Sequence, residues 1–192
     1  MNLGSFVGSV SFWIILVIVL LVLWVIAVAN KIAKKKMKAE QAFADVDVYL
    51  TQRYDLIPNL VSTVKGYSKH EKETFEAVVN ARNTAVSATN MNDKIEADNN
   101  VTEAISKLFA LAEAYPDLKA NTNFVKLQDS LESVEKDLVG ARRYFNAAAQ
   151  DYNFAIKVIP DTIVAKIFGY QPISMFTATE EQRKNVKVDF EN

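Results

Sequence analysis

The stretch Phe124–Ile159, FVKLQDSLESVEKDLVGARRYFNAAAQDYNFAIKVI, has the clearest periodicity in the sequence. Apolar and small side chains recur in it at alternating spacings of three and four residues, the pattern of a narrow apolar seam along one face of a long helix. At about 1.5 Å per residue this helix is about 50 Å long. We interpret the seam as bundle core and predict an all-α fold. Its members are Phe124, Leu127, Leu131, Val134, Leu138, Ala141, Phe145, Ala148, Tyr152, Ala155 and Ile159.

Both ends of this helix carry recognisable signals. Asn121 or Thr122 can cap its start, and Pro160 marks its end. After the proline, residues 162–168 are typical of a short apolar helix closed by the following glycine. Three roles stay open for the apolar segment Ile163–Phe176: it caps one end of the bundle, lies on the membrane interface or binds a partner.

Further helices are predicted on the N-terminal side of the seam. The polar, asparagine-rich residues 88–100 predict helix ends and a loop. An amphipathic helix is expected from Val101 to Tyr115, since the residue before a proline avoids the helical region. Residues 116–120 then form a connector of the length that antiparallel neighbours in a bundle require.

The segment from Phe43 to Val78 has two apolar stripes, which indicates a helix that touches two neighbours. Pro58 either kinks one long helix or lies in the first turn of a new helix capped by Asp55. The apolar period continues across the proline and favours the kink. The main stripe is Phe43, Val46, Leu50, Ile57, Leu60, Val64, Tyr67 and Val78, and the second stripe is Tyr54, Val61 and Phe75.

Nearer the N-terminus, Val10–Ala29 reads VSFWIILVIVLLVLWVIAVA and contains no charged side chain. At about 1.5 Å per residue it is about 30 Å long, the thickness of a bilayer core. Trp13 and Trp24 lie towards its ends, where aromatic rings favour the interface. A cleaved signal peptide is the alternative, but no Lys or Arg precedes Val10 and the run exceeds a typical signal-peptide core. We predict a transmembrane helix.

Charge is segregated along the chain. Residues 39–192 carry 17 Lys and Arg against 23 Asp and Glu, a net charge of −6, which argues against nucleic-acid binding. The positive-inside rule places the lysine-rich side of the membrane span in the cytoplasm, and these lysines are also candidate contacts for anionic headgroups. The lysines are Lys31, Lys34, Lys35, Lys36 and Lys38.

Cysteine and histidine, the residue types that form most metal sites and many catalytic sites, are absent or nearly absent. The sequence has no cysteine, which excludes disulfides and thiolate ligands, and His70 is its one histidine. His70-Glu71 begins like a zinc-protease motif, but no second histidine follows. We therefore predict no enzyme activity, no metal, no cofactor and no small-molecule substrate.

Arg53 falls on a seam position, where a charge is costly unless it is paired. Asp55 or Asp151 could supply the partner and fix helix register. Alternatively, Arg53, Tyr54 and Asn59 line a partner-binding groove. The candidate interaction surface as a whole is Arg53, Tyr54, Asp55, Asn59, Arg142, Arg143 and Tyr144, in which the last three are otherwise explained as a solvated helix face.

Four short motifs occur in order along the chain. They are residues 53–60, RYDLIPNL, with VKGY at 64–67 and HE at 70–71; residues 114–121, AYPDLKAN; residues 141–146, ARRYFN, with DYN at 151–153; and residues 167–170, IFGY. Together they resemble the LemA family of bacterial membrane proteins, from the anchor to about residue 176. The resemblance implies a membrane-tethered helical bundle without an assigned reaction, in the setting of membrane stress or membrane proteases. Residues 175–177, MFT, replace the aromatic-acidic patch common in that family.

The expected organisation is an N-terminal segment 1–30 with a transmembrane helix at about 10–29, a lysine-rich segment 31–38, an elongated antiparallel long-helix bundle 39–176 and a polar tail 177–192. We expect a single-pass protein of a bacterial inner or plasma membrane, with the N-terminus outside and the bundle cytoplasmic. The favoured function is a self-assembling, coiled-coil-like scaffold or adaptor that contacts the bilayer, further copies and another membrane protein. The alternative is a lipid-binding or membrane-shaping protein that uses the lysines and Ile163–Phe176.

Overall fold

The computed structural model describes residues 10–68 and 70–177. These residues form helices and no strand, which confirms the all-α prediction. The described residues divide into two compact units: unit 1 is residues 10–40 and 147–173, and unit 2 is residues 41–146 (without 69) and 174–177. The helices of the described residues are α1 (Val10–Lys65), α2 (Lys72–Ser87), α3 (Met91–Glu113), α4 (Pro116–Lys119), α5 (Thr122–Lys157) and α6 (Asp161–Ile167).

Helix α1 continues through Pro58, so the alternative of a new helix capped by Asp55 is wrong. Helix α3 begins ten residues earlier than expected. Asn90 caps it by accepting a hydrogen bond from the Asp93 amide at 2.9 Å, and the asparagine-rich stretch that follows is helical rather than a loop. The cap satisfies the first turn, and Ile95, Ala97 and Asp98 of the same stretch are buried, so packing also holds this part of the helix.

The ends of α5 and α6 match their sequence signals. The Asn121 side chain accepts hydrogen bonds from the Asn123 and Phe124 amides at 2.8 and 3.1 Å. Helix α5 ends at Lys157, before Pro160, so Ile159 leaves the seam and is 79% exposed. This last seam position was therefore predicted wrongly. Gly169 ends α6 with φ at +69°, a conformation that glycine adopts without strain.

Unit 2 contains residues of α1 to α5, and side-chain contacts give the relative directions of α1, α3 and α5. Phe43 meets Phe145, and Arg53 meets Glu135, so α5 runs antiparallel to α1. Lys94 reaches Asp47 and Asp98 reaches Arg53, so α3 runs parallel to α1. The second stripe of α1 and α2 (Tyr54, Val61 and Phe75) is buried within this core, as a helix with two neighbours requires.

Unit 1 contains the start of α1, the end of α5, and α6. Val28 and Ile32 of α1 are buried in one cluster with side chains from the other two helices. The apolar residues from Val10 to Ala27 are mostly exposed, in contrast to Val28 and Ile32. Among the described helices, α1 is long and apolar enough to cross a membrane by its length and composition. The expected polar tail beyond residue 177 lies outside the described residues.

Candidate functional site

A buried ion-pair cluster occupies the middle of unit 2. Arg53 of α1 and Asp98 of α3 are 2% and 1% exposed, and Arg53 Nη1 donates to Asp98 Oδ1 at 2.8 Å. The same nitrogen donates to the Thr102 hydroxyl at 3.0 Å. Two charges this deeply buried are tolerated only because each satisfies the other.

Arg142 and Glu135 of α5 complete the cluster. Arg142 Nη2 pairs with the second oxygen of Asp98, so this carboxylate is held by two guanidinium groups. Glu135 Oε1 lies 2.5 Å from Arg53 Nε, close enough for an ion pair but outside hydrogen-bond geometry. The cluster therefore ties three helices of the unit together through two arginines and two carboxylates.

Tyr54 lies beside the cluster and contributes a neutral hydrogen-bond donor to it. Its hydroxyl donates to Asp98 Oδ1 at 3.5 Å. Burial, and then the negative charge of Asp98, raises the pKa of Tyr54 above its ordinary value. The hydroxyl therefore stays protonated and keeps its role as a donor to the carboxylate.

The cluster is connected to an extended segment after α6. The guanidinium carbon of Arg142 lies 5.1 Å from the ring centroid of Phe176, a cation–π contact. The Phe176 ring also packs against Phe145, with centroids 5.7 Å apart. Asn146 accepts from the Phe176 amide at 3.0 Å and donates to its carbonyl at 2.8 Å. We refer to these contacts of Phe176 as the Phe176 clamp.

Unit 1 contains a second contact of the same kind. Asn153, also on α5, accepts from the Ile173 amide and donates to its carbonyl, both at 2.8 Å. The Tyr152 hydroxyl donates to the Gln171 carbonyl at 2.8 Å, and burial raises the pKa of Tyr152. Both asparagines belong to motifs picked out in the sequence, and both satisfy an otherwise unpaired extended backbone.

The seven residues of the predicted interaction surface separate into two groups. Arg53, Tyr54 and Arg142 belong to the buried cluster. The expected partners of Arg53 were wrong: Asp55 is 70% exposed and lies 3.7 Å from Arg82, and Asp151 is exposed. The solvated-face explanation also fails for Arg142, which is largely buried. Asn59, Arg143 and Tyr144 lie at the surface together with Asp55, and their role in binding stays a prediction.

A surface groove of about 460 Å³ lies between α1 and α5 in unit 2. Val48 and Tyr144 are 56% and 54% exposed there. A Cβ added at Gly140 would meet no atom within 4 Å, so the floor is open. Two carboxylates and no basic side chain line it. The lining residues are Asp45, Val48, Tyr49, Asp137, Gly140, Ala141 and Tyr144.

Comparison with known proteins identifies the family of this chain. The family model described as the LemA family matches residues 42–190. The chain belongs to the LemA family. The matched residues begin inside α1, after the apolar segment, and continue beyond residue 176, where the resemblance was expected to end.

Two relatives of this LemA family member match it over different lengths. Protein LemA of Metamycoplasma hominis is 20% identical over 158 residues, which cover 82% of this chain and 72% of that protein. Magnetosome protein MamQ of Magnetospirillum gryphiswaldense is 31% identical over 80 residues, 42% of this chain. The match spans only 29% of the length of MamQ. With the exposed apolar part of α1, these relatives indicate a membrane-associated helical protein.

Sequence reasoning found Arg53 and missed its main partner in this LemA bundle. Asp98 falls in the stretch expected to be a loop. The sequence nevertheless contains a signal for Asp98. Val101, Ile105 and Leu108 are spaced by four and three residues, and Asp98, three residues before Val101, continues this apolar spacing towards the N-terminus. An acid in apolar register, like the arginine of α1, predicts a buried charge that needs a partner.

Proposed function

We propose that this LemA family member is a membrane-anchored scaffold or adaptor that acts by protein–protein contact and not by catalysis. The observation that supports this is the groove of unit 2, where Val48 and Tyr144 expose apolar surface beside Asp45 and Asp137. Exposed apolar surface with a polar rim is typical of interaction sites. The second apolar stripe (Tyr54, Val61 and Phe75) is buried and offers no such surface.

The charges of the groove favour a partner of a particular chemistry. Two carboxylates disfavour packing of the same groove from another copy, because like charges would face each other. A partner segment with Lys or Arg side chains and apolar residues complements the groove instead. Arginine also stacks favourably on tyrosine rings such as that of Tyr144. Self-assembly then uses other faces of the protein and is a separate part of the proposal.

Photo-crosslinking in intact membranes tests this function. A photoreactive phenylalanine analogue at Val48 should capture a specific partner, whereas the same probe at Val79, 40% exposed on α2, should not. Reversing the groove charges with Asp45→Lys and Asp137→Lys should abolish the capture. Reversal at Glu103, whose side chain is 53% exposed on α3, is the matched control and should leave it intact.

Each outcome of this experiment has a meaning. A band of defined mass that depends on Asp45 and Asp137 supports the adaptor, with its basic segment identified by mass spectrometry. A ladder of copies of the chain captured at Val48 would contradict the assignment of the groove to a basic partner, because self-assembly is proposed to use other faces. Monomers alone, with every probe position, would contradict the proposed function.

We also propose a single membrane pass with the N-terminus outside and the bundle in the cytoplasm, based on the lysines that follow Ala29. Since the chain has no cysteine, single cysteines report orientation cleanly. In spheroplasts, a membrane-impermeant maleimide should label Ser5→Cys directly and Ser106→Cys only after permeabilisation. The reverse pattern would show that the bundle faces outward.

A further inference from the structure

Helix α6 packs against the end of the apolar segment of α1. Its Val164 and Ala165 are buried in one cluster with Val28 and Ile32 of α1 and with the end of α5. Val25 and Ala29, which belong to the predicted membrane span, pack against the same cluster. Helix α6 therefore lies beside the last turns of that span rather than away from the membrane.

An ion pair fixes the start of α6 at the same level. Lys31 Nζ donates to Asp161 Oδ2 at 2.7 Å, and the Asp161 side chain is only 10% exposed. Lys31 is the first charged residue after the apolar segment. In a membrane-spanning chain this is the depth at which hydrocarbon gives way to headgroups.

The opposite face of α6 is apolar and uncovered within unit 1. Ile163 and Ile167 are one turn apart and are 55% and 71% exposed. Ile159 before the helix and Phe168 after it are 79% and 56% exposed. A helix of a soluble domain normally presents polar side chains on its outer face, so these four large side chains call for an apolar environment.

The charge of unit 1 indicates which apolar environment covers these four side chains. Its two segments contain seven lysines, no arginine and three carboxylates, a net charge of +4, whereas the whole chain has a net charge of −1. Lysines close to an anionic membrane surface each contribute about 1 kcal/mol to the attraction. Apolar side chains beside lysines, at the end of a membrane span, are the composition of an interfacial helix.

We propose that α6, with Ile159 and Phe168, is a second membrane contact that lies in the interface of the bilayer and favours anionic headgroups. The exposed isoleucines and the phenylalanine enter the boundary between headgroups and acyl chains, while Val164 and Ala165 hold the helix on the span. This contact orients unit 1 on the membrane surface. It stands independently of the groove and of any protein partner.

Site-specific lipid quenching tests this contact. The full chain, which lacks cysteine, is labelled with an environment-sensitive NBD fluorophore at Ile163→Cys or Ile167→Cys. It is then reconstituted at low protein density in phosphatidylcholine vesicles with and without phosphatidylglycerol. The matched control is Gln150→Cys, an exposed position of unit 1 that lies about 9 Å along α5 from Ile156, at about 1.5 Å per residue.

Lipids with a doxyl quencher near the headgroup should reduce the fluorescence at positions 163 and 167, and more strongly with phosphatidylglycerol present. Aqueous iodide should quench position 150 instead. If iodide quenches all three positions equally and the doxyl lipids quench none, α6 does not lie in the interface. Lipid quenching that is indifferent to phosphatidylglycerol would overturn the preference for anionic headgroups. Because the vesicles contain no other protein, either result is independent of the crosslinking outcome.

Discussion

Replacing Asp98 with alanine is expected to lower the free energy of unfolding by about 3–5 kcal/mol, the usual cost of removing one partner from a buried ion pair. Asp98 is 1% exposed and is the shared partner of Arg53 and Arg142. Without it, the two guanidinium groups share only the Glu135 carboxylate, and one buried positive charge is uncompensated. Urea unfolding of the full chain in detergent, followed by circular dichroism, measures the loss.

Asp55→Ala is the matched control, because it removes an acid in the same unit that is not buried. Its side chain is 70% exposed and lies 3.7 Å from Arg82. Exposed pairs contribute about 0–1 kcal/mol, so the unfolding midpoint should hardly move. Equal losses for the two variants would show that the cluster does not carry the stability assigned to it.

A second variant at position 98 separates the effect of the negative charge from the effect of side-chain shape. Asp98→Asn keeps the volume and one acceptor oxygen but removes the negative charge that balances the arginines. We expect a loss close to that of Asp98→Ala, because an uncompensated buried cation is the main cost. A loss as small as that of Asp55→Ala would mean that hydrogen bonding alone holds the arginines.

The helices that follow from an apolar period were predictable, and those supported by capping or distant pairing were less so. The seam of α5 is long enough that its period could be read without ambiguity, and Pro58 did not break α1 because the apolar pattern carries across it. In the first turns of α3 the pattern is weaker, because the charged Asp98 occupies one of its positions. Their helix depends on the Asn90 cap and on Asp98 meeting Arg53, a residue 45 positions away.

The candidate site was also only partly predictable from the sequence. The need of Arg53 for a partner follows from its register, but the choice between the acids does not. Asp55 is close in sequence yet faces away, since residues two apart on a helix do not share a face. The role of Phe176 was also out of reach, because its contacts join an extended segment to α5 across 30 residues.

The second apolar stripe shows what periodicity can and cannot predict about a contact surface. Tyr54, Val61 and Phe75 were predicted to face a second neighbour, and all three side chains are buried. Periodicity reports that a face is apolar and cannot report what covers it. The exposed apolar side chains of unit 2 include Val48 and Tyr144, which no apolar period marks.

Phe145→Ala is expected to destabilise the chain by about 3–5 kcal/mol, the range for removing a buried aromatic side chain. Phe145 is fully buried, and its ring lies 5.3 Å from Phe43 and 5.7 Å from Phe176. The substitution removes the shared partner of two rings and leaves a cavity beneath the Phe176 clamp. The same urea unfolding experiment measures the effect.

Phe154→Ala, on the same helix, is the control for this second prediction. Phe154 is 68% exposed, so truncating it should change the free energy of unfolding by less than about 0.5 kcal/mol. Phe145→Leu should fall between the two, because leucine fills part of the space. If Phe145→Ala and Phe154→Ala unfold at the same urea concentration, the aromatic packing of Phe43, Phe145 and Phe176 contributes little to stability. If the predicted order holds, the stability of unit 2 depends on the packing of the Phe145 ring against Phe43 and Phe176.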